Sequence, residues 1–248
     1  MNMWRDVIEA NGPDTVKFLH SQLSQDIVSM TEGEVRWSFL LQPNGKMVAL
    51  LRVVRHDGGD GVSLDTDAGH GPAVVEALSR FKIRTKCEFH LRQAALFVAT
   101  WTGRLPELSE GDSGSGANAE SNDAYEAIVR GFPAWGAELD ESTIPNATGL
   151  VGQAVNFTKG CYTGQELVER IDSRGANLPR RLVGIDFVGP AIVGSVVSGE
   201  TAAGTVTSVA PDPSTGGTVG LGYVSRAVAA GDAVATAEGV LGVVRDLL

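Results

Sequence analysis

Residues 155–175 read VNFTKGCYTGQELVERIDSRG, and what this stretch folds into decides how the segments on either side of it are arranged. Val155, Phe157, Lys159 and Cys161 alternate with Asn156, Thr158, Gly160 and Tyr162, a period of two that predicts a strand with the first four side chains on one face. On that face Lys159 and Cys161 are neighbours. Thr163-Gly164-Gln165-Glu166 matches a capping box, in which Thr163 and Glu166 satisfy orphan backbone donors at a helix start. Leu167, Val168 and Ile171 supply the apolar stripe of that helix, and Gly175 suits its end. A thiol just ahead of a helix N-terminus and beside an ammonium group is biased toward thiolate, so Cys161 is a candidate reactive group tuned by Lys159. The alternative is a small buried apolar cysteine. Gln165 is not needed by the cap and is free to face a ligand.

Upstream, Asp14 can cap a helix with Val16, Leu19 and Leu23 at helical spacing. Residues 35–42 and 47–54 are strand-like and flank Pro43-Asn44-Gly45-Lys46, a hairpin turn signal. Residues 61–65 predict a strand. A helix with Pro72 in its first turn follows over 72–80, burying Val74, Val75 and Leu78. Strands are expected at 81–91, 94–101 and 125–130, and a short proline-opened helix over 145–153. Strands and helices without regular alternation predict an α+β fold. Downstream, β-prone pieces at 182–188, 204–209, 218–224 and 240–245 are punctuated by Gly189-Pro190, Pro211-Asp212-Pro213 and Gly216-Gly217, which suits a small barrel or sandwich. Two domains follow, residues 1–178 and 179–248.

The chain of 248 residues carries 30 acids and 20 Lys plus Arg, a formal charge of −10. Nine of the acids, against the single base Arg130, fall within 105–145. Residues 109–122, SEGDSGSGANAESN, lack large apolar side chains and predict an acidic flexible connection over about 105–124. The acidic balance excludes a protein that coats nucleic acid or anionic membrane nonspecifically. An anionic ligand therefore requires a local basic pocket, and Lys159, Arg170, Arg174, Arg180 and Arg181 cluster around the signature. No signal-like segment opens the sequence, and no apolar run is long enough to span a bilayer. Cys87 and Cys161 form no disulfide framework, which predicts reduced thiols in a cytoplasm, with Cys87 structural. The histidines show no metal-ligand spacing, so no metal site is expected.

Lys159-Gly160-Cys161-Tyr162-Thr163-Gly164-Gln165-Glu166 resembles the K-G-C-Y-x-G-Q-E signature of the YgfZ family, folate-binding relatives of the glycine-cleavage T-protein. Arg174-Gly175 and Arg180-Arg181-Leu182 continue the resemblance. So do Gly12-Pro13-Asp14 with Phe18-Leu19, Gly45-Lys46, Gly131-Phe132-Pro133 and Ile144-Pro145. The resemblance implies a T-protein-like, tetrahydrofolate-binding α+β region followed by a small C-terminal β-barrel. It implies an accessory protein for iron-sulfur cluster assembly or repair that supports tRNA modification indirectly. Its partners are then the assembly machinery or client enzymes, with no direct nucleic acid or membrane, and the chain is expected to be a monomer. The single Cys161 is too few thiolates to hold a cluster alone. The folate contacts it implies are Trp4, Tyr125, Gly160, Tyr162, Gln165, Glu166 and Arg174, while Trp37 and Trp135 are assigned to packing. The alternative is a folate-dependent aminomethyltransferase or demethylase of the T-protein type. Against it, Ala68-Gly69-His70-Gly71-Pro72 lacks the T-protein carboxylate, and Ala147 replaces a second acid in Pro145-Asn146-Ala147-Thr148-Gly149-Leu150.

Overall fold

The computed structural model describes residues 2–56, 59, 61–110, 117–173, 178–198 and 201–247. The first sheet contains β1 (Asn2–Asn11), β2 (Val35–Leu41), β3 (Met47–Arg55), β4 (Val62–Asp67), β5 (Glu88–Thr102) and β6 (Leu105–Glu110). It is antiparallel throughout, in the order β2-β3-β4-β1-β5-β6. Strand alternation gives this sheet two different faces. One is apolar: Ile8, Leu40, Leu51, Val53 and Leu64 pack under helices α1 (Thr15–Gln22) and α2 (Gly71–Ser79) through Leu19, Val74 and Leu78.

The opposite face carries charge. Trp37 pairs across to Arg52, and Arg52 across to Asp65, in consecutive strands. Asp65 accepts from Arg52 Nε at 2.7 Å and from Arg5 Nε at 3.0 Å, while Arg5 also reaches Asp67 at 3.3 Å. Arg52 Nη1 donates to the carbonyl of Leu108 at 2.8 Å. Three strands separate β3 from β6 in the sheet order, so this contact requires the sheet to curl until its edges approach. Right-handed twist supplies that curl. Val7, Ala94, Leu96 and Leu108 fill the rest of the concave side.

The second sheet contains β7 (Arg180–Phe187), β8 (Gly194–Ser198), β9 (Thr201–Pro211), β10 (Thr218–Ser225), β11 (Ala233–Thr236) and β12 (Leu241–Arg245). These antiparallel strands close in the order β10-β7-β12-β11-β8-β9 around Val183, Ile185, Phe187, Val206 and Val244. Between the sheets run α3 (Ala117–Arg130), a 3-10 turn (Pro145–Thr148), α4 (Val151–Ala154) and α5 (Gln165–Ser173). Glu138 fastens this middle segment to β9, accepting from Thr207 Oγ1 at 2.5 Å and Ser208 Oγ at 2.6 Å. Arg104, nearly fully buried, donates to Gly131 O and Thr148 O, carbonyls at the ends of α3 and the 3-10 turn. Burial pushes its guanidinium down to about 10.

Several sequence expectations are corrected. Residues 155–161 form no strand. Asn156 Oδ1 accepts the N–H groups of Thr158 and Lys159, each at 2.9 Å, and an Asn-headed turn of this kind competes with extended pairing. Residues 125–130 are the last part of α3, whose composition is rich in good helix formers. The acidic region is not one flexible loop, since β6 reaches Glu110 and α3 starts at Ala117. Its residues 111–116 lie outside the described residues. The strands expected at 81–91 and 94–101 are one strand, β5, starting at Glu88, and Phe81 and Ile83 precede it as exposed loop residues. The N-terminal strand β1, at the centre of the sheet, was not expected from the sequence.

Candidate functional site

The signature loop, residues 155–164, packs on the first sheet through two glycines. Gly164 has φ +82°, and a Cβ there would lie 2.5 Å from the Gln42 carbonyl oxygen. Gly45, at φ +81°, sits so close that its own Cβ would lie 2.4 Å from Leu167 Cβ. Only glycine fits this approach of the signature to the β2–β3 turn.

Beyond that contact, the chain after α1 and the signature loop form a hydrogen-bonded seam. Lys159 Nζ donates to the carbonyls of His20 and Leu23, the latter at 2.5 Å. Ser24 Oγ donates to Ala154 O at 2.6 Å, Asn156 N to Ser24 O at 3.0 Å, and Thr163 Oγ1 to Gln22 Oε1 at 3.1 Å. An ammonium on the last carbonyls of α1 also meets the negative end of the helix dipole. Burial pushes Lys159 down to about 8. Its ammonium also lies 5.2 Å from the Tyr162 ring centroid. Lys159 thus serves the α1 carbonyls, and no hydrogen bond joins it to Cys161 among the described residues. Cys161 itself is exposed.

The seam walls a cleft of about 630 Å³. Gln25 and Gln153 stand on the seam side, and Gln25 Nε2 donates to Gln153 O at 3.4 Å. Trp37 and Arg36 line it from β2, Arg52 from β3, and Leu105 from β6. Since β2 and β6 are the two edges of the first sheet, the cleft is the mouth of the curled sheet. Its volume suits a small organic ligand. Trp37 is fixed edge-on to Phe132, with centroids 5.6 Å apart, and Arg5 lies 5.9 Å from the Trp37 ring. Arg36 is half-buried, held by Glu34 Oε1 at 2.6 Å and by Asp26 O at 2.6 Å. Trp37 and Arg52 therefore face the same space, whereas Arg36, opposite Val53 in the β2–β3 register, carries its guanidinium on the other face of the sheet among Glu34, Asp26 and Ser29.

The residues singled out from the sequence are not gathered around this cleft. Trp4 is 65% exposed on β1. Tyr125 packs against the Ile128, Leu182 and Tyr223 cluster between α3 and the barrel. Gly160 is exposed. Tyr162 is buried beside Val168, its hydroxyl has no partner, and burial pushes it up to about 12. The capping box is corrected: Gln165 Oε1 accepts Tyr162 N at 3.0 Å, Thr163 turns to Gln22, and Glu166 is exposed. Gln165 is therefore the residue that reaches back over the start of α5. Arg174 and Gly175 lie outside the described residues. Cys87 is buried in the apolar core, and burial raises its thiol. Among the described residues no group of three or more His, Cys, Asp or Glu is placed to hold a metal ion, and no helix is long and apolar enough to cross a membrane.

The cleft's own residues were missed because Trp37 reads as one more apolar strand position. Arg52, interrupting an otherwise apolar strand, was the available signal. A carboxylate does stand at the start of α2, supplied by β1 rather than by the local sequence. Asp6 is buried, and its Oδ2 accepts Gly71 N at 2.8 Å while Gln93 Nε2 donates to Oδ1 at 3.2 Å.

No family model matches the chain. A Klebsiella pneumoniae protein named tRNA-modifying protein YgfZ is 27% identical over 67% of this chain and 65% of its own length. Its namesake from Photorhabdus laumondii is 29% identical over 69% of this chain and 65% of its own length. The chain thus spans somewhat less than two thirds of these relatives. Among solved structures, glycine cleavage system aminomethyltransferase T from Bartonella henselae superposes with a TM-score of 0.79 at 20% identity, covering 98% of this chain and 83% of that one. The chain is a homologue of the proteins named YgfZ and is built on the fold of aminomethyltransferase T.

Proposed function

We propose that the protein binds tetrahydrofolate in the cleft of the first sheet and serves as a cytoplasmic accessory protein in iron-sulfur cluster assembly or repair. The observation that carries this reading is the pairing of one indole, Trp37, with one guanidinium, Arg52, on the lining of a space of about 630 Å³. A reduced folate is a flat heterocycle on an anionic glutamate tail. Trp37 and Leu105 offer apolar surface to the ring, and Arg52, whose Nε and Nη1 are held by Asp65 and Leu108 O, offers its Nη2 as a charge-assisted donor to a carboxylate. Cys161, exposed on a loop tied to the cleft wall, is the thiol that meets a sulfur species, a cluster or a client enzyme. A partner completes the ligand set, because one thiolate does not hold a cluster. The relatives' name supports a link to tRNA modification, which this reading makes indirect, through an iron-sulfur enzyme that modifies tRNA. Residues 1–178 form the folate-binding part in this proposal, and the barrel of 179–248 completes the molecule.

A transferase reading draws on the aminomethyltransferase fold and on Asp6 at the start of α2. Asp6 is already committed to Gly71 N and Gln93, and Ala147 leaves its position without an acid. Two measurements separate the readings. Cys161→Ser should retain folate binding yet fail to restore iron-sulfur enzyme activities in a strain lacking this protein. Full restoration would sink the role of Cys161, and formation of methylenetetrahydrofolate from an aminomethyl donor by the purified protein would favour the transferase.

A further inference from the structure

The seam beside the cleft joins two segments far apart in sequence, residues 20–25 and 153–163, and its ends face different things. At one end Gln25 and Gln153 wall the cleft and bond to each other at 3.4 Å. At the other end the loop carries exposed Phe157, Gly160 and Cys161. Between them every link is a hydrogen bond from one segment to the other: Ser24 to Ala154, Asn156 to Ser24, Lys159 to His20 and Leu23, Thr163 to Gln22. Ser24 also accepts Phe39 N at 2.8 Å, and Gln25 N donates to Ser38 Oγ at 3.1 Å, so the inner rail is anchored to β2, which carries Trp37 and Arg36. A ligand that shifts Gln25 or Gln153 therefore pulls on Ser24 and Ala154, and through them on the carbonyls that hold Lys159.

The geometry points to a mechanical coupling in which occupation of the cleft sets the accessibility of the Cys161 thiol, with Lys159 as the positioning residue that transmits it. The coupling rests on the cleft being the folate site. Lys159 suits the role because its side chain is the one cross-seam group that binds two carbonyls at once, at the end of a helix. Without it, the loop from Phe157 to Cys161 keeps only the Asn156 turn as a fixed point. Linkage makes the coupling mutual, so alkylation of Cys161 should shift folate affinity as well, although the rate factor and the affinity factor need not be equal.

The test measures the rate at which iodoacetamide alkylates Cys161 in the full chain, read by mass spectrometry so that buried Cys87 is resolved separately. Rates are compared with and without saturating tetrahydrofolate, and calorimetry on the same samples records binding. The expected result is a rate change of about fivefold on binding, the lower end of ordinary coupling between sites. In Lys159→Met the rate should become insensitive to folate while affinity stays within about threefold of the native value. Lys159→Arg, which can still donate to both carbonyls, should restore the sensitivity. If Lys159→Met does not fold, Thr163→Val cuts a neighbouring link and should reduce the folate effect on the rate. Binding without any change in the Cys161 rate overturns the coupling. Absence of binding overturns the cleft as the folate site instead.

Discussion

At the scale of single residues, the concave face of the first sheet depends on Asp65. It is nearly fully buried and accepts from two arginines, one of which, Arg5, is equally buried. Removing one partner of a buried ionic group leaves the others uncompensated in a poor solvent. Asp65→Asn should therefore lower stability by about 3–5 kcal/mol, measured by urea unfolding. A loss under about 1 kcal/mol would mean the two guanidinium groups find other partners. His20 makes a second residue-scale prediction. Its Nδ1 accepts the N–H groups of Ile27 at 3.3 Å and Val28 at 3.4 Å, which requires an unprotonated nitrogen. Burial, then the Lys159 ammonium, hold His20 below its usual 6.5, although Asp26 opposes them. The folded protein thus binds fewer protons than the unfolded chain just below pH 6.5. The stability contributed by the neutral ring is complete above that pH and is lost as the pH falls toward the lower folded value. Thermal unfolding at pH 7.5 and 5.5 should show this loss, and His20→Asn should flatten it.

At the scale of elements, the signature and the first hairpin form one unit. Gly164→Ala would add a methyl 2.5 Å from the Gln42 carbonyl at a φ of +82°, and neither backbone can yield cheaply. A strained left-handed position alone costs about 1–3 kcal/mol. The variant should lose at least that much in unfolding experiments, while Gly160→Ala, with open space around it, should lose little. Much at this scale was legible in the sequence. Asn44-Gly45 marked the turn between β2 and β3, and Pro72 marked the start of α2. The residues 155–161 were misread because alternation of large and small side chains also arises in a loop. There the Asn156 side chain, whose turn-forming bonds depend on its conformation, outweighed the period. Likewise Gln165, one position before the glutamate that fits the capping pattern, makes the reaching bond because Gly164 is left-handed and shifts the start of α5.

At the scale of the whole molecule, local patterns gave the α+β character and the β-rich C-terminal part, but not the cleft. The cleft exists because β2 and β6, 64 residues apart between Leu41 and Leu105, become facing edges of one curled sheet. No window of sequence contains both edges. Nor does any local pattern say that Arg52 will reach Leu108 across three intervening strands. The same closure turns an overall charge of −10 into a cleft with Arg52 on its lining, so the global balance says little about the ligand. The central claim is that this cleft holds a reduced folate. Calorimetric titration of tetrahydrofolate into the native protein and into Ala99→Trp tests it most directly, because Ala99 is an exposed residue on the cleft lining whose enlargement fills the space without disturbing the core. The account predicts saturable one-to-one binding to the native protein and affinity weakened by about tenfold or more, at least 1.4 kcal/mol, in the variant. Equal affinity in the two proteins, or no binding to the native one, would contradict it.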